Sequence, residues 1–134
     1  MTLLDTNVLI EILKGDAETK SWVETLDGPP SVSAISAMEL FYGARDKAEV
    51  ACLERFLGLF RVVQIDNAIS LRGVDLVRGF AKSHGLDIPD ALIAATALEK
   101  GLSLLTYNRK DFRFMPGFDQ RKFKPGMKRK SFRL

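Results

Sequence analysis

At 134 residues, 46% hydrophobic and 28% charged, the chain has the size and composition of one globular domain with a buried core, not of a disordered or fibrous protein. Its single cysteine (Cys52) and single histidine (His84) exclude an internal disulfide and a Cys/His zinc site, and no apolar run nears the ~18 residues of a membrane span. The net charge of +3 conceals an asymmetry: residues 109–134 carry ten Lys/Arg and two Asp, a net of +8, which leaves ten Lys/Arg against fifteen Asp/Glu, a net of −5, in residues 1–108.

An acidic body with a basic tail suits a protein that handles a polyanion, the alternative being a merely solvated tail. The N-terminus runs from Leu3-Leu4 straight into Asp5, without a basic segment ahead of an apolar one, so a cytoplasmic protein is expected. Thr2–Leu4 reads as a short strand. Asp5-Thr6-Asn7 follows, then Val8, Leu9, Ile12 and Leu13 at helical spacing as far as Lys14-Gly15. Asp5 therefore stands where a strand turns into a helix, which is where open parallel α/β sheets bind ligands and also where a plain helix cap would stand.

Asp16 opens a second helix with Trp22, Val23 and Leu26 inward, and Asp27-Gly28-Pro29-Pro30 closes it. Ser31–Ile35 is predicted as the second strand. Ser36 is then expected to cap a helix over Ala37–Arg45 that packs Met38, Leu40, Phe41 and Ala44 and carries Glu39 beside its buried stripe. Asp46–Phe60 reads as a fourth helix through Val50, Leu53, Phe56, Leu57 and Phe60, and Arg61–Ile65 as a third, β-branched strand. Asp66 is expected to cap the long helix Asn67–Ser83, with Ile69, Val74, Val77, Phe80 and Ala81 facing the core. Gly73 and Gly79 suggest close packing along it, and His84 suits its C-terminal dipole. Asp87-Ile88-Pro89-Asp90 starts a helix apolar almost all the way round, which belongs inside a domain. Gly101 breaks it before the strand Leu102–Thr106. A last strand is expected near Phe118–Phe123, giving a domain over residues 1–124 and a flexible basic tail over 125–134.

Strands alternating with helices predict an α/β fold: a mostly parallel central sheet covered on both faces. Asp5, Glu39 and Asp90 each follow a strand or open a helix, so a parallel sheet brings them to one edge, within reach of Asp111. The alternatives at this point are helix capping and metal binding. Several carboxylates on one edge repel one another unless a cation lies among them. Oxygen ligands without His or Cys select a hard ion, Mg²⁺ or Mn²⁺, which activates water against a phosphodiester. The sequence has neither a GxxxxGK[ST] loop nor a GxGxxG, and His84 has no evident serine partner for a triad. A phosphoaspartate phosphatase of the haloacid-dehalogenase kind would need a second Asp where Asn7 stands.

Four segments in order, Leu3-Leu4-Asp5-Thr6-Asn7-Val8-Leu9-Ile10, Ser33–Leu40 with Tyr42-Gly43, Ile88–Ala95 and Leu105–Phe112, resemble PIN-domain ribonucleases of the VapC toxin type. The resemblance covers residues 1–112. It implies a PIN-like three-layer α/β/α sandwich and an Mg²⁺- or Mn²⁺-dependent endoribonuclease, the toxin of a toxin–antitoxin pair. It also implies a homodimer silenced by a cognate antitoxin. Asp5, Glu39 and Asp90 match the family's metal-site acids. Its fourth acid falls at Asn108, so that Asn108 or Asp111 fills that place. Thr6, Asn7, Ser36 and Thr106 match polar positions that orient the acids or a water. Arg109, Lys110, Arg113, Arg121, Lys122 and Lys124 are the cations expected to grip RNA phosphates. A chromosomal PIN nuclease without an antitoxin and a non-catalytic RNA-binding PIN-like domain are the competing expectations.

Overall fold

In the computed structural model, which describes residues 1–115 and the short strand Gln120–Arg121, the sheet is built from β1 (Thr2–Leu4), β2 (Ser31–Ser33), β3 (Arg61–Val63), β4 (Ser103–Leu105) and β5 (Gln120–Arg121). All neighbours pair in parallel, in the order β3-β2-β1-β4-β5. The expected sheet is thus present, and wholly parallel among the described strands. With β1 flanked by β2 and β4, the chain winds outward in both directions from the centre. The crevice beyond the strands' carboxyl ends therefore opens at β1.

Helices α1 (Thr6–Leu13), α2 (Ala17–Glu24), α3 (Ala34–Tyr42), α4 (Lys47–Leu57), α5 (Asn67–His84) and α6 (Ile88–Lys100) fill the connections. The two-residue period of β1 decides the layers. Leu3 joins Leu104, Ile69, Leu76 and the Ala91–Ala97 stretch of α6 on one face, while Leu4 joins Val8, Leu9, Val32, Leu53, Leu57 and Leu105 on the other. Both leucines are fully buried. A strand that is apolar on both sides can exist only between two helical layers, which gives the α/β/α sandwich.

An Asp or Ser stands before each of these helices, and its side chain accepts a backbone N–H: Asp5, Asp16, Ser33, Asp46, Asp66 and Asp87. Ser33, not Ser36, is therefore the cap of α3, and β2 stops at Ser33, two residues short of the expected end. The serine hydroxyl that bonds the Ile35 N–H at 3.0 Å starts the helix as early as it can. Ser36 moves into the first turn and points inward, fully buried. Met38 faces outward, 58% exposed, and Val74 on α5 is 54% exposed. Both had been expected inside, because an apolar residue at helical spacing does not itself reveal which face a neighbour covers. Similarly, α4 ends at Leu57 and β3 at Val63, short of Phe60 and Ile65.

Close packing is found at Gly73, where an added Cβ would lie 2.8 Å from Leu92 Cδ2, and not at Gly79, where nothing lies within 4 Å. Gly101 has φ +63° and reverses the chain from α6 into β4. β5 falls within the expected Phe118–Phe123, although Phe118 and Phe123 lie outside the described residues, as does the expected tail over 125–134. Among the described residues no helix is long and apolar enough to cross a membrane.

Candidate functional site

Asp5 leaves β1 at its carboxyl end, its N–H donating to the Leu105 carbonyl at 3.0 Å, and is 5% exposed. Its carboxylate is held twice. Oδ1 accepts the Thr6 N–H at 2.8 Å and Oδ2 accepts the Thr106 hydroxyl at 2.7 Å. Capping and site membership are therefore compatible in this residue.

Thr106 Oγ1 gives its one proton to Asp5 and accepts from Asn7 Nδ2 at 3.3 Å and from the Asn108 N–H at 3.0 Å, which uses a hydroxyl's full capacity. Asn7 Oδ1 in turn accepts the Tyr107 N–H at 3.3 Å. A second hydroxyl, Thr6 Oγ1, donates to Glu39 Oε1 at 2.8 Å, so Ser36 Oγ, also at 2.8 Å, must donate to Thr6. Thr6 and Thr106 thus bond the acids directly, while Ser36 and Asn7 bond those two threonine hydroxyls in turn.

Asp5, Thr6, Asn7, Ile10, Glu39, Asp87, Asp90 and Asn108 line one cleft of about 210 Å³ at this edge of the sheet. The sequence-predicted Asp5, Glu39, Asp90 and Asn108 meet there. Asp111, in a 3-10 turn over Arg109–Asp111, is exposed and stands outside the lining, although its charge acts on both Asp5 and Asp90. Lys110 and Arg113 are exposed and Arg109 is half-buried on the same segment; Arg121 lies in β5, and Lys122 and Lys124 lie outside the described residues. Two lining residues were not foreseen. Asp87 reads in sequence as an ordinary cap, and it does cap, taking the Asp90 N–H at 2.9 Å. Ile10 belongs to an amphipathic helix and carries no chemical signal.

The acids are crowded in electrostatic as well as spatial terms. Burial pushes the Asp5 carboxyl up to about 6, against the pull of its bonds to Thr106 and Thr6, with the charges of Glu39 and Asp111 adding to the rise. Burial, then the charges of Asp5, Asp87, Asp111 and Glu39, pushes Asp90 up to about 8. Among the described residues no three such side chains stand at the spacing of a ready-made metal cage. Hard-oxygen donors around a cleft of this size nevertheless fit a hydrated divalent ion. Mg²⁺ keeps several waters and takes only one or two protein carboxylates.

Comparison with known proteins places these residues in context. A family model described as PIN domain matches residues 2–116. Ribonuclease VapC10 of Mycobacterium tuberculosis is 38% identical over 91% of this chain and 91% of its own. A toxin–antitoxin complex from Klebsiella pneumoniae superposes with a TM-score of 0.75 at 34% identity, over 88% of this chain and 95% of that one. VapBC2 from Rickettsia felis, solved bound to a DNA fragment from its promoter, gives 0.76 at 26% identity, over 90% and 96%.

Proposed function

The chain belongs to the PIN domain family, and we propose that it is a VapC-type endoribonuclease, the toxin of a toxin–antitoxin pair, which hydrolyses RNA phosphodiesters with a divalent ion held by Asp5, Glu39 and Asp90. The observation that carries this is the cleft itself. Four carboxylates line it together with Asn108, Asp5 just after β1, Glu39 on α3, and Asp87 and Asp90 at the start of α6, and Asp5 and Asp90 hold their protons far more tightly than ordinary carboxyls do.

When bound, Mg²⁺ or Mn²⁺ lowers the pKa of a coordinated water and offsets phosphate charge. The protein's own residues supply the rest. Thr6 and Thr106 fix the two oxygens of Asp5, and Thr6, steered by Ser36, fixes Glu39, so neither acid must reorganise on binding. Asn108 is the neutral oxygen ligand available in the lining, and Asp111 is close enough to add its charge from the rim. Arg109, Lys110 and Arg113, with Arg121, Lys122 and Lys124 beyond, provide cations for the RNA backbone. In the reaction water adds to phosphorus, the bond to the leaving oxygen breaks, and that oxygen takes up a proton.

An antitoxin is the expected partner, and a homodimer in the cytoplasm the expected working form. RNA cleavage assayed with Mg²⁺, with Mn²⁺ and with EDTA tests the proposal: activity is expected with either metal and none after chelation. Cleavage undiminished by EDTA would remove the metal from the mechanism. RNA binding without cleavage under any condition would leave a non-catalytic RNA-binding domain.

A further inference from the structure

Tyr107 follows directly on the hydroxyl that holds Asp5, yet its ring points away from the cleft. It is 1% exposed and packs in the cluster of Leu4, Val8, Leu9 and Leu105. Its phenol oxygen is hydrogen-bonded to Thr19 Oγ1 on α2. Thr19 is fully buried; its hydroxyl donates to Asp16 Oδ2 at 2.5 Å and its N–H reaches the same oxygen at 3.1 Å. The single Thr19 proton is thereby committed to Asp16, so Tyr107 is the donor to Thr19. Such a chain, running from a neutral phenol through a hydroxyl to a carboxylate, polarises each bond in one direction.

The other end of the same residue faces the site. The Tyr107 N–H donates to Asn7 Oδ1 at 3.3 Å, and Asn7 Nδ2 reaches Thr106 Oγ1, also at 3.3 Å. Both bonds lie at the long end of the range and add to the shorter bonds that already join the end of β4 to the α1 cap, Asp5 N–H to the Leu105 carbonyl at 3.0 Å and Thr106 Oγ1 to Asp5 Oδ2 at 2.7 Å. The phenol adds a further tie, buried in the core and hydrogen-bonded to Thr19. We propose that Tyr107, pinned by Thr19 and Asp16 of the α2 N-terminus, is a positioning residue of the nuclease site: it fixes the β4 exit so that Asn7 and Thr106 keep the Asp5 carboxylate aimed into the cleft. The proposal rests on the nuclease assignment and extends it to a helix that contributes nothing to the cleft lining.

Tyr107→Phe, Thr19→Val and the double variant test it without removing the packed ring or the branched side chain. Each is compared with the unaltered protein for Mn²⁺ affinity by calorimetry in the absence of RNA, for kcat and KM on RNA, and for thermal midpoint. Losing one buried hydrogen bond predicts an approximately five- to tenfold weaker Mn²⁺ affinity and a similar fall in kcat, with KM within twofold because the phosphate-gripping cations are untouched. The double variant should be no worse than Thr19→Val, which already removes the Tyr107–Thr19 bond together with the Thr19–Asp16 one. A lowered thermal midpoint with Mn²⁺ affinity and kcat unchanged would overturn the proposal, leaving Tyr107 a core residue. Fully additive losses would overturn it as well. Mn²⁺ binding without RNA cleavage in the unaltered protein would count against the nuclease assignment instead, and the four Mn²⁺ affinities would then decide the role of Tyr107.

Discussion

Asp5, buried, and Asp90, half-buried, differ from the acids that only cap helices, since each stands among carboxylates with no Lys or Arg of the described residues in the cleft lining. Both have folded-state pKa values raised above the ordinary 3.8, so ionising them costs folding free energy. Their stabilising contribution, complete below pH 3.8, is lost as the pH rises through about 6 for Asp5 and about 8 for Asp90. For Asp5 the shift corresponds to at most about 3 kcal/mol. Metal-free protein should therefore melt at a lower temperature at pH 9 than at pH 5, and Asp90→Asn should flatten that trend, giving a midpoint above the parent's at pH 9. Asp90→Asn, and likewise Asp5→Asn, should lose RNA cleavage by about a hundredfold or more while staying folded. Full activity in either would reject its place at the metal. Metal affinity should rise across the same pH window as protons are displaced, a trend calorimetry in buffers of different ionisation enthalpy would detect. At the fourth acid position the lining favours Asn108 over Asp111. Asn108→Ala should then cost more cleavage activity than Asp111→Asn, and the reverse order would hand that role to Asp111.

At the scale of elements, the legible features were those with a local cause. Asp16, Asp46, Asp66 and Asp87 announce their helices because a carboxylate accepting the N–H three residues on is a property of the sequence itself. Likewise Gly85 and Gly101 mark helix ends by their left-handed backbone. What was not legible depends on tertiary context. Between Ser33 and Ser36, either serine can cap, and the choice falls to the one that leaves Ser36 free to bond Thr6 across thirty residues of chain. Met38 and Val74 look like core residues until the neighbouring layer is seen. Gly73 and Gly79, indistinguishable in sequence, separate by what surrounds them. Gly79→Ala meets open space and should stabilise α5 by about 0.5–1 kcal/mol through helix propensity. Gly73→Ala must displace the end of Leu92, so its gain should be smaller or absent. Urea denaturation of the two variants measures the difference, and equal gains would mean that Leu92 yields at no cost.

The whole molecule is a charge dipole in sequence, net −5 over residues 1–108 and +8 over residues 109–134, and the sheet determines where the two parts meet. β5 runs parallel to β4 with Arg121 opposite Leu105, and Leu105 is itself opposite Leu4, the residue before Asp5. The chain therefore leaves β5 at the edge of the sheet that presents the acids. Two strand spacings, roughly 10 Å, separate β5 from β1, a span that three or four residues of extended chain cover at about 3.3 Å each. We propose that the cations of the segment that follows, Lys128, Arg129, Lys130 and Arg133, contribute to gripping RNA phosphates. Removing residues 125–134 deletes those four cations. For single-stranded RNA each phosphate contact contributes about 0.7 to the slope of log affinity against log salt, so the truncated protein should show a slope shallower by up to about 3. Its affinity should fall most at low salt, and kcat at saturating RNA should be unaffected because the cleft remains whole. RNA binding measured by fluorescence anisotropy across a salt series decides the matter: an unchanged slope would leave phosphate binding to Arg109, Lys110 and Arg113 beside the site, and the charge asymmetry would then serve solubility, not substrate.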